Sequence, residues 1–369
     1  MSAECITVMI DPVDSLMFRD GRPFSQADPG ASRAVSVFPP FPPTVVGTIR
    51  FALLNALGTW RAELLGDGTD WQDPATLGPL AFGAPLVLHD GAPVFPVPLH
   101  ILEGKDSSGT ARLTRLLPGK ERSCDLGGAR LPVPVDRFMG VKPIEDRWLT
   151  AEGMQTVLEG GVPKRSDLVD VKKKLWGTEP RVGIGISQET RTTSEGRLYM
   201  ASHVRTCPEV RLSCELRGYT GPTPGAVTQT MGGEHRMVQL DFASKPAPLP
   251  ELPTARRAAR YCAILLSPLV LTAPLTPGGA VEGLPGQMIS ACLGKAARIG
   301  GWNSQARRHR GRHGGEALPM WQAIPAGSVF FMEADAPPPA GIGGALGGIG
   351  QAWGFGQALI GTWGEGKNS

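Results

Sequence analysis

The apolar residues of this chain fall into short runs separated by Gly- and Pro-rich turns, and the runs predict strands more often than helices. Near the start, ITVMIDPVDSLMF has the β-branched and apolar content of a buried strand. VFPPFPP follows, and its prolines, which fix φ and lack a donor, predict an extended segment. The clearest helical pattern comes next. Val45, Val46, Ile49, Leu53, Ala56 and Leu57 recur at helical spacing behind Thr44, a good N-cap, and Gly58 stands where a left-handed residue would end the helix. Strand then helix opens a mixed α and β domain. A hairpin is predicted between Leu86 and Leu102, turning at Asp90-Gly91, with the prolines of PVFPVPLHIL confining its second arm to a sheet edge.

Residues 103–180 are polar and basic without steady periodicity, and they read as an insertion, partly flexible, rather than core. Strand character returns at RVGIGIS, GRLYMASHV and EVRLSCEL. The prolines of SKPAPLPELPTA, residues 244–255, favour an extended linker and divide the chain into domains at 1–245 and 250–369. Beyond it lie a strand-like run from Tyr261 to Thr272, another strand, SVFFMEA, and a glycine-rich end, GIGGALGGIGQAWGFGQALIGTW.

Composition narrows the class. Of 369 residues 41% are hydrophobic, enough for buried cores, and 49 Gly with 35 Pro call for many turns and close backbone approaches. The six cysteines form no CxxC pair, and no signal-peptide pattern opens the sequence, so reduced thiols in a cytoplasmic protein are expected. The longest apolar run, Tyr261 to Leu275, is interrupted by Pro268 and Pro274 and is too short to span a bilayer, so no membrane partner is expected. The net charge of +3 hides a segregation. Between Leu252 and Gly315 nine Lys or Arg face one acid, Glu282, which leaves the rest of the chain negative. A highly charged anionic partner, RNA or DNA, fits that asymmetry better than a merely solvated loop.

Three segments carry candidate chemistry. In FRDGRPF, Arg19 and Arg22 flank an Asp-Gly turn between two aromatic rings, a grouping suited to phosphate and unstacked bases. The plain alternative is an ordinary turn in which Asp20 pairs with an arginine. In KAARIGGWNSQARRHRGRHGG, Lys295, Arg298, Arg307, Arg308, Arg310 and Arg312 surround Trp302 with no acid among them, and arginines on such a loop can follow a phosphate backbone while the indole stacks a base. His309 and His313 are four apart, but no cysteine or carboxylate accompanies them, so no metal site is expected. The terminal glycines, including Gly347, Gly348, Gly350, Gly354 and Gly356 around Phe355, lack the Lys-Ser or Lys-Thr of a P-loop and a surrounding βαβ unit. That excludes a nucleotide-cofactor reading, and no cofactor is expected; an open backbone surface for an approaching RNA strand is what remains.

In order along the chain, FRDGRPF, FPPFPPTVVGTIRFALL, RVGIGIS with EGRLYM, GGEHRM, PAGSVFF and GQAWGFGQALIGTW resemble the Cmr subunit three family, RAMP-superfamily proteins of type III-B CRISPR effector complexes. The resemblance implies an α+β fold of two ferredoxin-like (RRM-like) domains with long insertions and a C-terminal glycine-rich loop, matched here by Gly347 to Gly356. It implies an antiviral, non-catalytic subunit that holds the 5′ handle of the crRNA and meets target RNA at its handle-facing end. Such a subunit docks on the large polymerase/cyclase-like subunit and on a backbone RAMP subunit, which own the catalysis. Arg19, Arg22 and the glycine-rich loop fall on family motifs. Arg236, in GGEHRM, and the basic stretch join them as expected RNA contacts. The competing reading is a RAMP endoribonuclease that processes the guide precursor by metal-independent acid–base chemistry, with His235 as first candidate and His309 as second. A subunit of another type III subtype is a third.

Overall fold

The structure is a computed structural model and describes residues 5–19, 21, 33–124, 127–186, 189–244, 260–303, 316–335 and 346–364. Strands dominate, with few helices. The first strand, Ile6–Pro12, is central to an antiparallel sheet and pairs on one side with Val210–Arg217 and on the other with Met237–Ser244. Val210–Arg217 continues to Leu86–His89, and Ala226–Thr230 closes the far edge. The helix Pro42–Leu57 lies against this sheet because its apolar positions share one face. Val45, Val46, Ile49 and Leu53 join Val8, Ile10 and Leu212 in one core, each side chain contributing roughly 1.5–3 kcal/mol by burial.

The helix starts earlier than its pattern predicts. Phe41 is the N-cap, with Pro42 and Pro43 in the first turn, where a missing N–H costs nothing, so Thr44 lies inside the helix and does not cap it. Gly58 ends it with φ of 73°, as expected. Asp90 (φ 52°) and Gly91 (φ 77°) make the predicted tight turn, which sets His89 opposite Ala92. The second arm, Ala92–Pro96, is not an edge: Phe95 and Pro96 pair with Leu149 and Trp148. Pro96 is tolerated because it ends the strand.

Residues 103–180 correct the expectation of a stretch outside the core. They supply strands of a four-stranded sheet with Ile101–Lys105 and the helix Ala151–Leu158, capped by Thr150, whose Oγ1 accepts from the N–H of Gly153 at 3.2 Å. That helix buries Met154, Val157 and Leu158 with Cys262, Ile264, Phe331 and Leu359 of the C-terminal sheet. A side chain at Gly361 would come within 2.8 Å of the Leu158 backbone, so the glycine sets how closely the two elements meet.

The C-terminal sheet is four-stranded and antiparallel, ordered Gln287–Cys292, Val329–Glu333, Arg260–Leu265, Ala358–Thr362. Val329 to Met332 are fully buried in succession, because the two faces of this strand enter two different cores. Cys262 and Cys292 are core residues whose thiols burial pushes up to about 12, as befits packed rather than reactive cysteines. Among the described residues no helix is long and apolar enough to cross a membrane.

Candidate nucleic-acid interface

The segment that begins FRDG is pinned by its first residue. Phe18 is buried, its N–H donates to Ser36 Oγ at 3.1 Å, and its carbonyl accepts from the N–H of Val37 at 2.8 Å. Arg19 is thereby held at the surface, its backbone bridged to Ser36. Gly21 then donates its N–H to the carbonyl of Arg298 at 3.2 Å, and a side chain at Gly21 would press to 2.9 Å of that oxygen. Two of the three sequence segments therefore touch.

Arg298 lies on the strand Ala297–Ile299, which pairs with Trp321–Ala323; one step outward, Trp302–Asn303 pairs with Glu316–Ala317. The ladder brings together the two ends of the basic stretch. Arg307, Arg308, Arg310, Arg312 and His309 lie outside the described residues, as does Arg22. Lys295 and Arg298 are exposed.

Between these elements is a groove of about 690 Å³. One wall is Arg19 and Gly21 with the start of the helix Pro42–Leu57 at Pro43, Thr44 and Gly47; the opposite wall is the ladder at Ile299, Gly300, Gly301, Ala317, Leu318 and Met320. Gly68, Thr69, Trp71 and Trp353 complete it, with Arg50 among them, and no acid lines it among the described residues. Arg50 is nearly fully buried. Its Nε donates to the carbonyl of Leu65 at 3.0 Å and its Nη2 to that of Gly66 at 3.2 Å, and its guanidinium faces the rings of Trp60 and Trp353 at 5.1 and 6.0 Å. Burial pushes its pKa down to about 10. Gly68 is a glycine for two reasons: its φ is +62°, and any side chain would overlap the Arg50 guanidinium.

The glycine-rich loop meets the groove through Trp353, but its described part is not an open backbone. Gly347 packs on Glu282, Gly348 on Val270 and Gly354 on Gly83, each too closely for a side chain, while Gly350 abuts Phe355 and Gly356 lies near Leu269. Phe355 is fully buried, its ring 4.8 Å from that of Trp71. These glycines let a tight loop seat two aromatic rings, and the expectation of a bare surface gives way to that packing role.

Arg236 lies elsewhere. Its loop supports the FRDG segment from behind, since the N–H of Gly233 donates to the carbonyl of Met17 at 2.8 Å. Its charge is taken up by Asp14 and Glu234, each at 3.4 Å. Asp14 also pairs with Arg205 at 3.0 Å and Arg181 at 3.6 Å, and a hydrogen bond from the Ser15 backbone, then Arg205, holds its carboxyl below the usual range. His203, sealed from solvent, stands 3.2 Å from Ser15 Oγ and 3.0 Å from Glu234, and burial foremost keeps its pKa below the ordinary value. His235 is exposed on a left-handed turn with φ of 51°.

Arg50 and Trp71 escape a motif-based reading. The signal for Arg50 is its place as the one charge in PPTVVGTIRFALLNAL; Trp71 gives none beyond a single ring within GDGTDWQD.

Comparison with known proteins gives a clear family and slight structural likenesses. No curated protein matches the chain. One solved structure, a type III-B Cmr-beta complex bound to cognate target RNA and AMPPnP, has a chain 16% identical, with 88% of this chain and 86% of that chain covered and a TM-score of 0.49. The same complex bound to cognate target RNA gives 17%, the same coverage and 0.49. A Csm3-Csm4 subcomplex of the type III-A interference complex gives 9%, coverage of 97% and 99%, and 0.38. Likenesses this small carry no argument. The family match does: it runs from residue 8 to 363, nearly the whole chain, and the protein belongs to the CRISPR-associated family Cas_Cmr3.

Proposed function

We propose that this protein is a non-catalytic RNA-binding subunit of a type III-B CRISPR effector complex, working in the cytoplasm in antiviral defence. In this reading it anchors the 5′ handle of the crRNA, meets target RNA at its handle-facing end, and docks on the large polymerase/cyclase-like subunit and a backbone RAMP subunit. The observation that carries it is the convergence of the Arg19 segment and the base of the basic stretch on one groove with no acid among its described lining residues. A surface that carries arginines and aromatic rings attracts phosphate and accepts bases with no reacting group. The strand order of the C-terminal sheet, second-third-first-fourth, is that of a ferredoxin-like domain and supports one such domain in the C-terminal part of the proposed two-domain fold.

The described histidines favour binding over cleavage. His203 and Ser15 are closed to solvent, so that pair has no route to a 2′-hydroxyl, and His235 stands without a hydrogen-bonded orienting group among the described residues. The test uses protein co-expressed with the large subunit, titrated with guide RNA carrying its handle and with the same RNA carrying a scrambled handle. Tighter binding of the intact handle, with the RNA recovered uncleaved, is expected. Equal affinity for both sequences rejects the handle; metal-independent cleavage that co-purifies with this chain puts the endoribonuclease in its place.

A further inference from the structure

A second cavity, of about 250 Å³, shares only Phe41 with the groove and lies between the N-terminal and C-terminal parts of the chain. On one side are the proline-rich stretch before the helix Pro42–Leu57, the hairpin arms Leu86–His89 and Ala92–Pro96, and Trp148. On the other are residues 266–268, Ala297, Pro325 and Ala326. The two sides are tied together, since the N–H of Leu99 donates to the carbonyl of Gly327 at 2.9 Å. Trp176 backs both Phe38 and Trp148, with ring centroids 4.7 and 5.1 Å away. Seven of the lining residues are prolines, whose rings fix the backbone. The cavity is therefore formed before anything enters it, which spares a partner the cost of ordering its walls. Phe38, Phe41, Trp148 and Pro325 are half-buried, so their apolar faces are open to an entering group. Leu293, 45% exposed, follows the same rim, next to Gly294, which packs on Pro325.

The walls select an apolar occupant. No described lining residue is charged, and the polar side chain among them, Ser267, already accepts from the N–H of Gln357 at 2.9 Å. The prolines offer no N–H, and those of Val37 and Leu266 are given to the carbonyls of Phe18 and Gln357. A nucleobase here would leave its polar edge unpaired, whereas an apolar side chain loses nothing. The volume is below the roughly 300 Å³ at which small-molecule pockets begin, and it suits one large side chain. Charge beside the cavity selects the segment that carries it. Asp146 and Arg147, next to Trp148, are taken up by Lys172 at 2.6 Å and Asp170 at 3.0 Å. Lys295 and Arg298, on either side of Ala297, are exposed and have no ion pair among the described residues. A segment bearing carboxylates is attracted to that rim, and a basic one is repelled. We infer that this cavity is the socket for one leucine or phenylalanine side chain projecting from an acidic segment of a neighbouring protein subunit. The inference rests on the proposed membership of an effector complex for the source of that subunit, and not on RNA binding.

The test measures binding of the full-length chain, without RNA, to the large subunit and to the backbone RAMP subunit in separate titrations. Wild type is compared with Ala297→Leu and Ala326→Leu, each of which adds bulk at the cavity wall, and with Lys295→Glu, which reverses a charge at its rim. Wild type is expected to bind one of the two subunits. Each leucine variant is expected to bind it at least about tenfold more weakly, as when the anchor of an interface is displaced. Lys295→Glu is expected to weaken the same contact by roughly fivefold, with the difference shrinking as salt rises. Thermal midpoints check that the leucine variants fold; should either fail, the other and the exposed Lys295→Glu still decide. Unchanged affinity of the variants for both subunits overturns the socket and leaves complex membership standing. Failure of wild type to bind either subunit overturns the docking reading, and the socket with it. A wild-type dimer that the leucine variants dissociate would give the cavity to a second copy of this chain. Loss of guide RNA in those variants, with both subunits still bound, would give it to a base. Either result overturns the inference.

Discussion

Two arginine-rich regions border the segment from Asp14 to Arg19, and they use their charge in opposite ways. Behind it, Arg181, Arg205 and Arg236 are matched by Asp14, Glu179 and Glu234 in one network. In front, Arg19 and Arg50 look onto a groove whose described lining has no acid. The same residue type thus builds an ion-pair network in one place and lines a groove in the other. The network behind the segment depends on strands far apart in sequence: Arg236 reaches Asp14 across more than two hundred residues. An arginine in a motif therefore indicates a function only once its neighbours are known.

The groove side is broken most severely at Gly68. Gly68→Ala would force a side chain into the Arg50 guanidinium at a left-handed backbone position, and the expected loss is roughly 2 kcal/mol of stability, read from denaturant midpoints. An unchanged midpoint would mean that Arg50 is not fixed over this turn.

The network side is sharpened by pH. The pKa of His203 is lowered in the folded state, chiefly by burial, so below about 6.5 the unfolded chain binds a proton that the folded chain refuses. Stability from this group is complete above that pH and falls as pH drops toward the folded pKa, by at most about 1.4 kcal/mol per pH unit. His100, pushed down to about 3 by burial first and by Arg115 second, adds a loss of the same sign from the other core. Midpoints measured from pH 7 to 5 are expected to fall less steeply in His203→Gln than in wild type. Parallel slopes would remove His203 from the acid response.

Parts of both the first sheet and the C-terminal sheet are legible in the sequence, because local rules decide them. The helix after the prolines, the turn at Asp90-Gly91 and the strands of EVRLSCEL and SVFFMEA all follow from spacing and turn chemistry. The helix Ala151–Leu158 is less legible, since its apolar face is short and its partner strand, Ala358–Thr362, lies two hundred residues away. Pro96 is read as an edge marker because a sequence does not reveal that Trp148 will pair there. For the site, FRDG and the flanks of the basic stretch stand out by charge, whereas Trp71 is brought to the groove only by tertiary packing on Phe355.

The most direct measurement of the central claim is the salt dependence of guide-RNA affinity for wild type, Arg19→Ala and Arg236→Ala, each with the large subunit. If the groove faces RNA and the network does not, Arg19→Ala weakens binding and reduces the slope of log affinity against log salt by roughly 0.7. Arg236→Ala then leaves affinity and slope unchanged and lowers stability by less than about 1 kcal/mol. The reverse pattern, with Arg236→Ala losing RNA and Arg19→Ala retaining it, would contradict the account.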